Sequence, residues 1–304
     1  MTTRNQTISF LRRRLAEVGV RLKTQRGQNF LTDLNLLRLL VQTANLSPND
    51  VVLEVGTGTG ALTALVAERV AAVVTVEIDP QLYQLASEEL IDFDNVTMLQ
   101  QDALQSKHTL DPVMLATIAE RLAEAPERRF KLVANLPYSV ATPLIANLLA
   151  APIVPETMTI TIQRELAERI VAQPGTKDYG ALSVWVQSQC EGQLVRLMPP
   201  EAFWPRPKVT SAIVHLRLDP ARRAKIVDPD FFHTVTRTLF LHRRKSLRAG
   251  LLSGWPQSLD GPALDKPAVD ALLAQLGIEP SVRAEQLDVP TFLRLSEAMA
   301  RMRG

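Results

Sequence analysis

Four consecutive residues, Asn135-Leu136-Pro137-Tyr138, have the groups needed to hold an exocyclic amine for reaction. Such an amine on adenine is a poor nucleophile, because its lone pair is delocalised into the ring. The Asn135 side-chain carbonyl and the backbone carbonyl of Leu136 or Pro137 can accept its two N–H bonds. That would favour pyramidal geometry and aim the lone pair at an electrophile. Catalysis would then rest on positioning and desolvation, with no need for a strong general base. Tyr138 offers a face on which a base can stack. Upstream, Gly56-Thr57-Gly58-Thr59-Gly60 lets a ligand approach the backbone closely. Glu77, 21 residues after Gly56, is placed to bind both ribose hydroxyls, and Asp102 to reach an adenine ring. Gly56, Gly58 and Ala61 also satisfy the dinucleotide pattern G-x-G-x-x-G/A, so these residues alone leave nicotinamide and S-adenosylmethionine cofactors both open. The tetrapeptide decides for S-adenosylmethionine. Asn-x-Pro by itself is ordinary turn chemistry, but here it closes a strand that faces the same crevice.

The elements that must position these groups are legible as alternation. Val51–Val55, Val73–Val76, Asn95–Leu99, Leu132–Ala134 and Met158–Ile162 read as five short apolar strands. Ala61–Val70 and Gln81–Leu90 read as helices between them. Strands alternating with helices imply a parallel sheet covered on both faces. Leu182–Gln189, Gln193–Met198 and Ser211–Leu218 read as further strands, and Pro199–Pro207 as a fixed, non-helical loop. Phe231–Leu241, Lys245–Leu252, Ala268–Leu276 and Val289–Arg301 carry helical patterns. The expected fold is α/β: a doubly wound Rossmann-like methyltransferase sheet, mostly parallel with an antiparallel edge strand. A small C-terminal helical domain should follow a boundary at Asp219-Pro220. Three segments result: a basic N-terminal extension (1–22), a catalytic domain (23–220) and a helical domain (221–304).

A chain of 304 residues can bury a sizeable core, and its 46% apolar and 22% charged residues are ordinary globular values. No apolar run is long enough to span a bilayer. Cys190 is the only cysteine, which excludes an internal disulfide and Cys-rich zinc modules and fits a reducing compartment. The four histidines show no metal-ligand spacing, so no metal is expected. The net charge of +2 hides an asymmetry: residues 1–28 carry +6, residues 221–304 carry +4, and the middle carries −8. Basic ends around an acidic middle fit a polyanion bound at the ends, or simply solvated charge. Ile8, Leu11, Leu15, Val18 and Leu22 form one helical stripe with Arg12 to Arg14 mostly off it. That pattern fits an organellar transit segment or a basic helix packed beside the catalytic domain.

Six segments, taken in order, resemble the KsgA-type family of small-subunit ribosomal RNA adenine dimethyltransferases. They are Gly27–Leu31, Glu54–Gly60, Asn135–Tyr138, Lys177–Val184, Phe203–Ala212 and Arg243–Arg248. The resemblance runs from about Lys23 to the C-terminus. It implies that Gln28, Asn29 and Leu31 contact S-adenosylmethionine, with Gly56 at its methionine part, Glu77 on the ribose and Asp102 with Ala103 on the adenine. Asn135 would bind both cofactor and target amine. Tyr138 and Phe203 would sandwich a flipped adenine, as chemistry on a stacked base requires. The implied substrate is a pair of adjacent adenines near the 3′ end of small-subunit rRNA, each dimethylated within an assembling small subunit. Arg243, Arg244, Lys245 and Arg248 suit phosphate contacts, and Arg206 and Lys208 suit the phosphates flanking the flipped base. The chain departs from the family at Arg26 and Ala249, and its N-terminal extension is longer.

A monomer in the cytoplasm, with no membrane contact, fits this reading. Three rivals remain: a large-subunit rRNA methyltransferase of the macrolide-resistance type, a ribosome-assembly factor sharing the fold, and a nicotinamide-dependent oxidoreductase. The extended Arg243–Arg248 and Lys177–Val184 segments favour the small-subunit enzyme over the first. Intact Asn135 and Tyr138 argue against the second, and no proton donor paired with a hydride-transfer site supports the third.

Overall fold

The computed structural model describes residues 8–17, 19, 29–258 and 265–302. In chain order the elements are α1 (Ile8–Glu17), β1 (Phe30–Leu31), α2 (Leu34–Thr43), β2 (Asp50–Val55), α3 (Ala61–Ala67), β3 (Ala72–Glu77), α4 (Pro80–Glu89) and β4 (Val96–Gln100). Next come β5 (Leu104–Ser106), β6 (Thr109–Leu110), α5 (Pro112–Ala123), β7 (Arg129–Asn135), α6 (Tyr138–Ala150), β8 (Thr157–Gln163), α7 (Arg164–Ile170) and α8 (Ala181–Gln187). The rest are β9 (Cys190–Met198), β10 (Phe203–Trp204), β11 (Ser211–Leu218), α9 (Pro220–Arg223), α10 (Pro229–Leu241), α11 (Leu247–Ser258), α12 (Lys266–Gln275) and α13 (Val289–Arg301). Contacts divide the chain into two units, Met1–Ala167 with Gln193–Arg217, and Glu168–Gly192 with Leu218–Gly304.

A seven-stranded sheet runs in the order β4-β3-β2-β7-β8-β11-β9. It is parallel from β4 through β8, and β11 lies antiparallel to β8. Every residue of β2 and β3 is buried. A strand covered on both faces has no reason to alternate, so these read as continuous apolar runs. The chain builds outward from β2 to β3 and β4, then returns to lay β7 on the other side of β2. The order therefore reverses between β2 and β7, and such a switch point opens a crevice at the carboxyl ends of the strands. This is the expected α/β fold.

Four helix starts share one local device. Asp79, Asp111, Asp219 and Asp228 each precede a proline, and each side chain accepts backbone N–H bonds from the first turn. The aspartate satisfies orphan donors, while proline presets φ at a position whose N–H would be unpaired anyway. Asp219-Pro220, the expected domain boundary, is thus the start of α9.

One expected strand is a helix. Leu182–Gln189 falls mostly in α8, where Ser183, Val184, Trp185 and Val186 are consecutively buried. A short apolar run buried all round carries no period, so strand and helix look alike in sequence. The Gly180 N–H donates to Ser183 Oγ at 3.0 Å and starts the helix. Trp185 then meets Phe232 and His233 of α10, at 6.1 and 4.6 Å between ring centroids. This packing draws Glu168–Gly192 into the second unit, ahead of Asp219-Pro220. Helix α7 and the antiparallel pair β1–β10 were also not anticipated; the pair aligns Phe30 with Trp204 and Leu31 with Phe203. Cys190 is buried, a free thiol in the core.

A buried ion pair holds the other end of the central strands. Lys131 Nζ lies 2.8 Å from Asp50 Oδ2, and Asp50 is fully buried. Lys131 also donates to Asn45 O at 2.7 Å, and Ser47 N donates to Asp50 Oδ2 at 2.7 Å. Removing Lys131 leaves the buried Asp50 charge with only the more distant Arg129, whose Nε is 3.6 Å from Oδ1, and that costs more than the pair itself contributes. Lys131→Met should therefore destabilise the chain by about 3 kcal/mol in urea denaturation; an unmoved midpoint would show that Asp50 is satisfied without it.

Candidate active site

The turn after β2 enters the crevice with Gly56 at φ +88°, where its N–H donates to Val76 O at 2.8 Å. A side chain there would be strained and would set its Cβ 3.3 Å from Pro137 Cδ. The glycine-rich turn and the tetrapeptide therefore face each other at close range. Gly58, at φ +58°, leaves similar room: a Cβ would lie 3.2 Å from Phe30 Cε1.

Glu77 ends β3 and is 5% exposed. Gly58 N donates to its Oε2 and Asp79 N to its Oε1, each at 2.9 Å. Burial raises its pKa, opposed by these backbone donors. A carboxylate has about four acceptor positions, more than these backbone donors fill, so Glu77 keeps acceptor capacity for a ligand hydroxyl. A cavity of about 330 Å³ opens here. Asn29, Gly56, Glu77, Asp102, Ala103 and Asn135 line it, all expected, together with Pro137. Phe30, Ile78, Leu82, Gln101, Ser139 and Val140 also line it and were not foreseen. Phe30, inside the Gly27–Leu31 segment, and Ile78, next to Glu77, were within reach of the sequence reading. Gln28 and the departure at Arg26 lie outside the described residues. A larger cavity, about 830 Å³, lies in the second unit around Cys190, Arg222 and Asp288, and it contains none of the expected site residues.

Asn135 is the last residue of β7. Its Nδ2 donates to Asn29 O at 2.9 Å, which leaves Oδ1 as the acceptor. Leu136 N donates to Thr161 O at 3.1 Å. The Pro137 carbonyl accepts from Val140 N at 3.1 Å within the first turn of α6. Of the two backbone carbonyls considered for the target amine, Leu136 is therefore the better candidate. Tyr138, half-buried, pairs its hydroxyl with Ser211 Oγ at 2.6 Å, and burial raises its pKa. It stands next to the cavity in sequence but does not line it.

Leu31, Leu136 and Phe203, also expected at the site, do not line the cavity either. Leu31 and Phe203 face each other across the β1–β10 pair and sink into the core with Leu37, Leu40 and Ile213. Phe203 is only 2% exposed, so it offers no open ring face opposite Tyr138. The basic residues divide. Arg243 pairs with Glu285 and donates to Lys177 O at 2.7 Å, and Arg248 lies 2.5 Å from Asp270. Arg206 pairs with Glu201. Lys208, Arg244 and Lys245 are exposed.

Glu54 was not foreseen in any role. It lies in β2 on the strand before Gly56, fully buried, and its Oε2 accepts from Thr63 Oγ1 at 2.5 Å and Thr75 Oγ1 at 3.0 Å. Thr57 Oγ1 reaches Thr75 Oγ1 at 2.6 Å, so a hydroxyl network runs beneath the glycine turn. Burial, with a smaller contribution from the nearby Glu77 charge, pushes the Glu54 pKa up to about 8.

A parallel sheet with a glycine-rich turn, an acidic residue at the second strand and Asn-Leu-Pro-Tyr at the fourth defines a Rossmann-like methyltransferase. The chain belongs to the ribosomal RNA adenine dimethylase family, whose model matches residues 19–299. It is 40% identical over 282 residues to ribosomal RNA small subunit methyltransferase A of Lactiplantibacillus plantarum, covering 92% of this chain and 91% of that one. The same-named protein of Geobacillus kaustophilus is 38% identical over 290 residues, 95% of each chain. Among solved structures, the 23S rRNA methyltransferase ErmE aligns with TM-score 0.61 at 27% identity, over 90% of this chain and 100% of that one. A dimethyladenosine transferase from Plasmodium falciparum shares the fold with TM-score 0.71 at 23% identity, over 88% and 96%.

A raised carboxyl pKa has a definite consequence for stability. The folded chain holds the Glu54 proton more tightly than the unfolded chain. Its contribution is complete below the ordinary value of 4.5 and is lost as pH climbs toward about 8. Glu54→Gln keeps the shape and removes the ionisation. The variant's thermal midpoint should gain on the parent's across that window, and parallel curves would mean that Glu54 is already ionised when folded.

Proposed function

We propose that this chain transfers methyl groups from S-adenosylmethionine to N6 of two adjacent adenines near the 3′ end of small-subunit rRNA, giving N6,N6-dimethyladenosine. The observation that carries this reading is Asn135: its amide is pinned to Asn29 at 2.9 Å, with its carbonyl left as an acceptor at the edge of the nucleoside-sized cavity. The cavity suits the cofactor on its own terms. Glu77 lines the cavity and keeps acceptor capacity for the ribose hydroxyls. Asp102 and Ala103 flank the place for an adenine, and side-chain-free Gly56 leaves room for the methionine part. When bound, the cofactor supplies a methyl group made electrophilic by its sulfonium.

The chain's own residues do the rest by placement. In the first transfer Asn135 Oδ1 and the Leu136 carbonyl accept the two N–H bonds of the target amine and favour the pyramidal geometry that frees its lone pair; each transfer releases one amine proton, and one N–H is left to be held in the second. Tyr138, held by Ser211, gives the flipped base a stacking face. Phe203 acts from below as packing. Lys208, Arg244 and Lys245, exposed like Arg206 but not engaged with Glu201 as it is, are the cations of the expected set to meet phosphate. The substrate in this reading is the assembling small subunit and the enzyme a cytoplasmic monomer. The high identity to two small-subunit methyltransferases supports it over a large-subunit target.

Incubation of undermethylated small subunits with radiolabelled S-adenosylmethionine should yield dimethyladenosine, and Asn135→Ala should slow transfer on the order of a hundredfold. Label appearing only in large-subunit RNA would overturn the substrate. For the cofactor, Glu77→Ala should weaken S-adenosylmethionine binding by about 1.5–3 kcal/mol, the worth of hydrogen bonds to a charged group. Equal affinities in calorimetry would remove Glu77 from the ribose.

A further inference from the structure

We propose that α1 braces the wall of the cofactor cavity from behind, with Leu11 and Leu15 as positioning residues that act through Phe30 and Leu82. The helix lies ahead of residues 19–299, which the family model matches. Leu11 and Leu15 are 1% and 3% exposed. They pack in one cluster with Phe30, Leu82 and Leu85, with Trp204 against it. Phe30 and Leu82 are themselves walls of the cavity. The two leucines therefore share a packed layer with two side chains that meet the ligand.

Phe30 is held by side chains from several elements. It sits on β1, a strand of two residues, and its ring edge must stay close to Gly58. The contacts around α1 fix it from the outside. Arg14 reaches Glu88 at 3.1 Å and Glu89 at 3.5 Å, at the far end of the helix whose first turn carries Leu82. The Arg12 guanidinium lies 5.7 Å from the centre of the Trp204 ring, a cation–π distance. Trp204 in turn stacks on Phe30 at 6.5 Å. Gly19, at φ +68°, ends the helix with its N–H on Ala16 O at 3.1 Å. One helix thus braces both the ribbon that carries Phe30 and the helix that carries Leu82. Loosening it widens the cavity without touching any group that binds the ligand by hydrogen bonds.

This inference rests on the cavity's being the cofactor site, and the test separates the two. S-adenosylmethionine binding is measured by calorimetry for the full chain, for a Leu11→Ala, Leu15→Ala double variant and for Leu15→Met, with small-subunit binding followed in parallel. The double variant should bind the cofactor about tenfold more weakly, the scale on which small misplacements tell. Its affinity for small subunits should stay the same, and Leu15→Met should bind like the parent. Equal cofactor affinity in a double variant of native circular dichroism overturns the role of α1 and leaves the cavity's identity standing. No binding by the parent overturns both. Should the double variant fail to fold, hydrogen exchange of the parent decides. Cofactor should slow exchange across Ile8–Glu17, and unaltered exchange there overturns the proposal.

Discussion

The site depends on how closely two stretches of backbone can approach where the strand order reverses. Gly56, leaving β2, and Pro137, leaving β7, lie so near that a single added carbon would sit 3.3 Å from the proline ring. A parallel sheet places the ends of β2 and β7 side by side because the crossover returns to the opposite edge of β2. The cavity is what remains between the two exits. Its floor is rigid because β2 and β3 are buried along their whole length. Its acceptors come from backbone turns and from side chains at strand ends, which have little freedom to drift.

Two glutamates one strand apart show how surroundings divide identical chemistry. Glu77 draws N–H donors from Gly58 and Asp79, so its charge is solvated by the backbone. Glu54 meets only hydroxyls and lies deeper, and burial holds its proton up to about 8. One serves as an acceptor pair facing the cavity. The other braces Thr63 and Thr75 beneath the turn. Had both been ionised, the repulsion between them would have loosened the loop that needs to be fixed.

The N-terminal side of the cavity is held by long-range contacts. The two residues of β1 find their partner in β10, more than 170 positions later, and Asn29 receives the Asn135 amide. The same pairing turns Leu31 and Phe203 inward and Phe30 and Trp204 toward α1. The proposed role of α1 follows from that alternation, since a strand sends successive side chains to opposite faces.

The amino-acid sequence by itself determined the chemistry and the order of parts. The glycine turn, Glu77, Asp102 and Asn135-Leu136-Pro137-Tyr138 could be placed at strand ends because strand, turn and cap signals act over a few residues. Buried parallel strands announce themselves as unbroken apolar runs, and Asp-Pro marks helix starts. Tertiary structure alone decided everything that needs a distant partner. It made Leu182–Gln189 largely a helix, because Trp185 had α10 to pack against. It sank Phe203 and Leu31 into the core and engaged Arg243 with Glu285 and Arg248 with Asp270, leaving Arg244 and Lys245 exposed. It kept a proton on Glu54. A residue's type sets what it can do, but its exposure, its protonation and its free lone pairs depend on neighbours that the chain brings together only by folding.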